Sequence, residues 1–175
     1  PVVPVYDGQF RIIQRDIVMA DVRQLVAKGA EHITFGDPDF FNGPGHALPL
    51  VYDLHREFPH LTYDVTIKIE HLLDRQADLP ALKETGCLFI TTAVESIDDR
   101  TLLMLDKGHT RSDLRAAVDI CREIGLPLSP TFIPFTPWTT IHGYIDLLDA
   151  VYNLGLVEAL FLSPEDYIQS HSVRI

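Results

Sequence analysis

The sequence predicts an α/β fold with parallel strands, built as a partial (β/α) barrel, and three observations predict it. Apolar segments of helical period alternate with short apolar runs rich in β-branched residues, and no two runs are joined by a hairpin signal. Glycines 29, 86, 125 and 155 stand between the end of a helical pattern and the start of a run. Glycine adopts the left-handed conformation that closes a helix at least cost. Polar residues follow the runs, as in a barrel whose C-terminal rim carries the site. An open doubly wound sheet is the competing arrangement, and the absence of a glycine-rich phosphate loop after the first strand disfavours it.

In chain order, residues 1–15 (PVVPVYDGQFRIIQR) are expected to be partly extended, with a turn at Asp7-Gly8. Asp16 is placed to cap a helix reaching residue 28, with Val18, Val22, Leu25 and Val26 on its buried face. The first strand, HITF at 32–35, ends in Gly36-Asp37-Pro38-Asp39. A helix over 46–58 places Leu48, Val51, Leu54 and Phe58 together, and Pro59 stops it. The second strand is expected over 61–69, ending at Glu70, and a short helix over 79–84 follows.

The third strand starts at Cys87 and delivers Glu95 and Ser96 at its tip. Asp98 and Asp99 are the caps of the next helix, which Lys107-Gly108-His109 breaks. Thr110, with Asp113 three residues on, comes close to a capping box for a helix burying Leu114, Ala117, Val118, Cys121 and Ile124. A fourth strand spans 126–135. A helix marked by Ile141, Tyr144, Leu148 and Val151 follows, and a fifth strand covers 157–162.

The 175 residues make one domain on this reading, and 46% hydrophobic content is enough to fill its core without staples. A net charge of −11 with no Lys/Arg cluster argues against nucleic-acid binding, which depends on cations meeting phosphates. No apolar run is long enough to span a bilayer, so no membrane partner is expected. Two distant cysteines make no disulfide framework, the pattern of a reducing, cytoplasmic setting.

The residues placed to carry chemistry are the strand-end groups: Asp37 and Asp39, Lys68 and Glu70, Glu95 and Ser96, and Thr136 with Trp138. Each has a plainer explanation. Asp37 and Asp39 suit a turn or a helix cap, and Glu70 suits a helix dipole. Glu95-Ser96 resists this, because the two aspartates after it are better caps. The segment PTFIPFTPW is either an edge strand running into a stiff loop or a rigid rim that holds a flat ring against Trp138. Cys87 and Cys121 read as small buried hydrophobes, and no His or Cys spacing supports a metal site.

Nearly the whole chain resembles the core of a radical S-adenosylmethionine (radical SAM) enzyme, in particular the subgroup of CUAEP/CCAEP-tail proteins. PVVPVYDGQFR, GAEHITFGDPDFFNGPGHAL, FPHLTYDVTIKIEHLL, GCLFITTAVESIDDRTLLMLDKGHT and PTFIPFTPWTT carry the resemblance. It implies a [4Fe–4S] cluster on a CxxxCxxC loop and SAM, which is cleaved to a 5′-deoxyadenosyl radical on reduction by an electron donor. The substrate, a small molecule or a peptide, is left open. It also implies that Gly36, Asp37 and Pro38 meet the SAM amino group, Lys68 and Glu70 the carboxylate and ribose, Glu95 and Ser96 the ribose or carboxylate, and Ile133, Pro134 and Thr136 the adenine. The cluster cysteines are absent from the chain, as is a cysteine-bearing tail. The resemblance therefore implies a fragment of a single core domain, residues 1–175, that starts just after the cluster loop, with the first strand and that loop missing or incomplete. Two other readings stay open. One is a metal-dependent isomerase or hydrolase using Asp37, Glu70 and Glu95 as oxygen ligands. The other is a non-catalytic barrel that binds a nucleoside or a partner protein.

Overall fold

A computed structural model describes residues 11–156. Its sheet has four parallel strands in sequential order: β1 His32–Thr34, β2 Thr62–Thr66, β3 Cys87–Glu95 and β4 Leu128–Phe132. Parallel neighbours need crossovers, and helices supply them. The helices are α1 Arg15–Ala27, α2 Pro44–Glu57, α3 Ile69–Asp74, α4 Leu79–Glu84, α5 Asp99–Met104, α6 Arg111–Ile124 and α7 Ile141–Asn153, of which α2 to α6 make the crossovers. The described sheet is open, an incomplete barrel. The expected strand over 157–162 and the turn at Asp7-Gly8 lie outside the described residues.

Alternation along the strands gives the sheet two unlike faces. Tyr63, Val65, Ile67, Ile90 and Val94 are buried with Leu54 of α2, Leu72 of α3, Leu79 and Leu82 of α4, and Leu114 and Ala117 of α6. Each fully buried aliphatic side chain here contributes about 1.5–3 kcal/mol. The register pairs Asp64 with Phe89, Thr66 with Thr91 and Ala93 with Thr131, so these residues share the opposite face. On that face His32 Nε2 lies 3.0 Å from Asp64 Oδ1, and the Thr34 hydroxyl donates to the same oxygen at 2.6 Å. A parallel sheet is ordinarily apolar on both faces, so this polar face marks the interior of the barrel as a place for polar chemistry.

Helix ends follow their local chemistry. Glycines 29, 86, 125 and 155 all have positive φ. Thr110 and Asp113 form the full capping box on α6, and the Asp98 side chain accepts from the Arg100 and Thr101 amides at the start of α5. Asp16 corrects an expectation: it lies in the first turn of α1, whose N-cap is Gln14. The second strand is also shorter than expected, ending at Thr66, and α3 begins at Ile69. Ile69 and Leu72, three residues apart, both bury, and the helical turn that allows this wins over the β-branched run before it. Glu70 therefore sits in the first turn of a helix.

β4 is likewise shorter than the expected strand. Pro130 lies within it at the edge of the described sheet, where a missing N–H removes little from the ladder. The register shifts between Ala93 and Glu95, and the last link between the two strands is the Ile133 amide donating to the Glu95 carbonyl at 2.8 Å.

Candidate functional site

All four strands end on one rim. After β1, the Asp39 amide donates to Asp37 Oδ1 at 2.9 Å, closing a turn across Pro38, while Gly36, Asp37 and Pro38 remain exposed. Asp39 is buried. Its Oδ1 accepts from the Lys68 amide at 3.3 Å, and its Oδ2 lies 2.8 Å from His71 Nδ1 and 3.9 Å from Lys68 Nζ. The His71 contact is close but poorly aligned, so it acts as an electrostatic contact more than as a hydrogen bond. Asp39 thus fastens the β1 rim loop to the start of α3, with Lys68 pointing largely to solvent.

Glu70 and Glu95 meet the same loop from two sides. A β-carbon added at Gly108 would lie 2.8 Å from Glu70 Cδ, so the Glu70 carboxylate rests on this glycine. Lys107 Nζ lies 3.4 Å from Glu95 Oε1, and the Glu95 side chain is 23% exposed. The backbone at Glu95 is unusual: φ is 66°, and the Ser96 amide donates to the Val94 carbonyl at 2.9 Å. A positive-φ turn closed from residue i+2 to residue i is the rare, strained form of γ-turn. Such strain costs about 1–3 kcal/mol at a non-glycine residue and persists where the surroundings over-determine it. The turn ends the strand with the Glu95 carboxylate set beside the Lys107 ammonium.

Ser96 Oγ accepts from the Asp98 amide at 3.1 Å, which leaves its hydroxyl hydrogen to donate elsewhere. Beyond β4, Ile133 and Pro134 are exposed, and Ile133 is joined to Glu95 through the backbone. Thr136 is used locally: its amide donates to Thr139 Oγ1 at 2.9 Å, and its hydroxyl is 2.9 Å from the same atom. Trp138 is 46% exposed, and Phe135 stacks on Tyr144 with centroids 5.0 Å apart. Glu95, Ile133, Lys107 and, through Gly108, Glu70 thus form one connected patch. Gly36, Asp37, Pro38 and Lys68 form a neighbouring patch joined to it through α3.

In the sequence Lys107-Gly108-His109 reads as a helix break inside the stretch that carries the family resemblance, with no role for its individual residues. Its glycine, standing between Lys107 and His109 after a helix, is the signal that the backbone there makes a close approach. The metal reading is corrected: among the described residues no group of three or more His, Cys, Asp or Glu side chains is placed to hold an ion, so Asp37, Glu70 and Glu95 do not converge. Burial pushes the Cys87 thiol up to about 12 and the Cys121 thiol up to about 11. Two inert, buried thiols do not fit an iron–sulfur cluster, whose ligands are thiolates.

Residues 4–151 match the family described as the Radical SAM superfamily. The chain belongs to the radical SAM superfamily. The structural matches carry the same fold. The radical SAM methyltransferase TsrM from Kitasatospora setae, solved with cobalamin and a [4Fe–4S] cluster bound, aligns at TM-score 0.70 and 20% identity over 85% of this chain and 28% of its own. The cobalamin-dependent SAM radical enzyme OxsB aligns at TM-score 0.71 and 17% identity, over 82% of this chain and 23% of its own. Elp3 from the archaeon Methanocaldococcus infernus aligns at TM-score 0.56 and 14% identity, over 76% of this chain and 37% of its own. This radical SAM chain therefore spans well under half the length of each of these structures. No curated protein matches its sequence. No described helix is long and apolar enough to cross a membrane.

Proposed function

We propose that this chain forms the SAM-binding wall of a radical SAM enzyme, with Glu95 as its principal anchor. The observation that carries the reading is the strained turn at Glu95, on the rim of a parallel sheet of this superfamily. Strain of that kind is retained where a side chain must be aimed. An ionised carboxylate accepts hydrogen bonds from two ribose hydroxyls or from the SAM ammonium, and Lys107 beside it offers a cation to the carboxylate. Glu70 and Ser96 extend this polar patch, and Gly36, Asp37, Pro38 and Lys68 face the amino-acid end of the ligand. The exposed backbone and side chains of Ile133 and Pro134 provide an apolar ledge for adenine, to which Thr136 contributes its backbone.

Bound SAM supplies a 5′-deoxyadenosyl group for radical chemistry once a cluster delivers an electron. The described residues of this chain position and desolvate that ligand. On this reading residues 1–175 are a single core domain of a longer cytoplasmic protein of the CUAEP/CCAEP-tail subgroup. Three cysteines preceding Pro1 would hold the [4Fe–4S] cluster, a reducing partner would supply the electron for SAM cleavage, and the substrate would be a small molecule or a peptide. The five stretches named for the resemblance, taken together, support the subgroup assignment, and AVESIDDRTLLMLDKGHT among them is similar to many radical SAM enzymes.

The test is anaerobic reconstitution of the complete protein with iron and sulfide, followed by reduction with SAM present. A broad visible absorbance and 5′-deoxyadenosine are expected. A fully loaded cluster that yields no deoxyadenosine would overturn the reading.

A further inference from the structure

The turn at Glu95 needs something to hold it, and the neighbouring strand supplies only one of the restraints, the Ile133 amide on the Glu95 carbonyl. The other comes from His109. The residue is 7% exposed, its Nε2 lies 3.2 Å from the Val94 carbonyl oxygen, and its Nδ1 lies 3.2 Å from the Lys107 carbonyl oxygen. Val94 O is the same oxygen that closes the γ-turn by accepting from Ser96. Lys107 is the residue whose ammonium faces the Glu95 carboxylate. One buried imidazole therefore touches the backbone of the strained turn and the backbone of the loop that carries its counter-charge.

We propose that His109 is the positioning residue for Glu95: its Nε2–H donates to Val94 O and fixes the turn that aims the carboxylate. The proposal rests on the reading that Glu95 holds SAM. Its chemistry is specific to one nitrogen. A neutral imidazole has one hydrogen for two ring nitrogens, both carbonyl contacts are acceptors, and an imidazolium donates to both. In either donating form the Val94 contact requires hydrogen on Nε2. Without that donor Val94 O loses its contact with the helix-breaking loop, and the strand end is free to relax toward ordinary extended geometry, which turns the Glu95 carboxylate away from Lys107.

Amide side chains separate the two nitrogens, because the glutamine amide nitrogen falls where Nε2 lies and that of asparagine where Nδ1 lies. The experiment measures the Kd for SAM by equilibrium dialysis on the complete, cluster-loaded protein and on its H109Q, H109N, H109F and E95A variants. Urea unfolding is followed in parallel. H109Q is expected to bind SAM within about threefold of wild type, while H109N and H109F lose about tenfold or more, which is the scale of one hydrogen bond. Adding H109N to E95A is expected to cost no further affinity, since a positioning residue acts only through the group it positions.

A purely structural histidine would instead make affinity follow stability, with H109F, which keeps the ring's bulk, closest to wild type. That order would overturn the proposal. So would H109N binding like wild type while E95A is weak, which leaves the Glu95 reading standing. Unchanged binding by E95A overturns the Glu95 reading itself. Should H109F fail to fold, the H109Q and H109N pair carries the comparison.

Discussion

Gly108 is held to its identity from two directions. Its φ of 72° lies in the left-handed region, and the Glu70 carboxylate occupies the space a β-carbon would fill. An L-residue pays about 1–2 kcal/mol for that conformation. The clash itself is with the far end of a flexible side chain, so Glu70 swings aside rather than the loop opening. G108A is therefore expected to lower the urea-unfolding free energy by about 1–2 kcal/mol and to weaken SAM binding by displacing Glu70. A variant as stable as wild type would show that the loop does not need its left-handed residue. The two cysteines make a second residue-scale prediction. With burial raising their thiols to about 12 and about 11, almost no thiolate exists at neutral pH. Neither Cys87 nor Cys121 should react with a thiol reagent in the folded protein, and both should react fully in urea. Labelling of either in the native state would mean that its side of the core opens.

Among the elements, α5 owes its start to Asp98, which accepts from the Arg100 amide at 3.3 Å, the Thr101 amide at 3.2 Å and the Thr101 hydroxyl at 2.6 Å. The Thr101 hydroxyl bond is the largest of the effects that hold the Asp98 carboxyl below its usual range, and the amide bonds add to it. A depressed folded-state pKa gives stability that is present above the unfolded value of about 3.9 and is lost as pH falls through the folded value. D98A should cost about 1 kcal/mol at neutral pH. The gap to wild type should stay constant down to about pH 5 and close below about pH 4. Unfolding curves measured across that range check both, and a gap that grows on acidification would reverse the sign. Such caps are local, which is why Thr110 with Asp113 and the four helix-ending glycines were legible in the sequence. The helix α3 was not. Its six residues are too few to show a helical period, and they follow directly on a β-branched strand, so tertiary burial of Ile69 and Leu72 decides the matter. The rim patch was legible only as separate strand ends. That Glu70 rests on Gly108 and that His109 reaches Val94 are consequences of packing between separate segments, which no spacing encodes.

At the scale of the molecule the sheet divides the chain's work: one face is sealed by helices, and the other carries Asp64, Thr66, Thr91 and Thr131 toward the interior of an open barrel. The rim that caps this interior holds Asp37, Asp39, Glu70 and Glu95 against Lys68 and Lys107, within a chain of net charge −11. A cleft of one dominant sign concentrates ligands of the other. SAM carries a sulfonium cation, whereas S-adenosylhomocysteine presents the same nucleoside and amino acid with a neutral thioether. The field should therefore favour SAM over its demethylated counterpart, and salt should erase the difference. Raising ionic strength from about 0.01 M to about 1 M shortens the screening length from about 30 Å to about 3 Å. Over that range the Kd for SAM is expected to rise several-fold while that for S-adenosylhomocysteine changes little, so that the two converge. Parallel titrations of the complete protein with both ligands measure this. Equal salt dependence of the two would assign the discrimination to contacts at the sulfur and remove the acidic rim from the account.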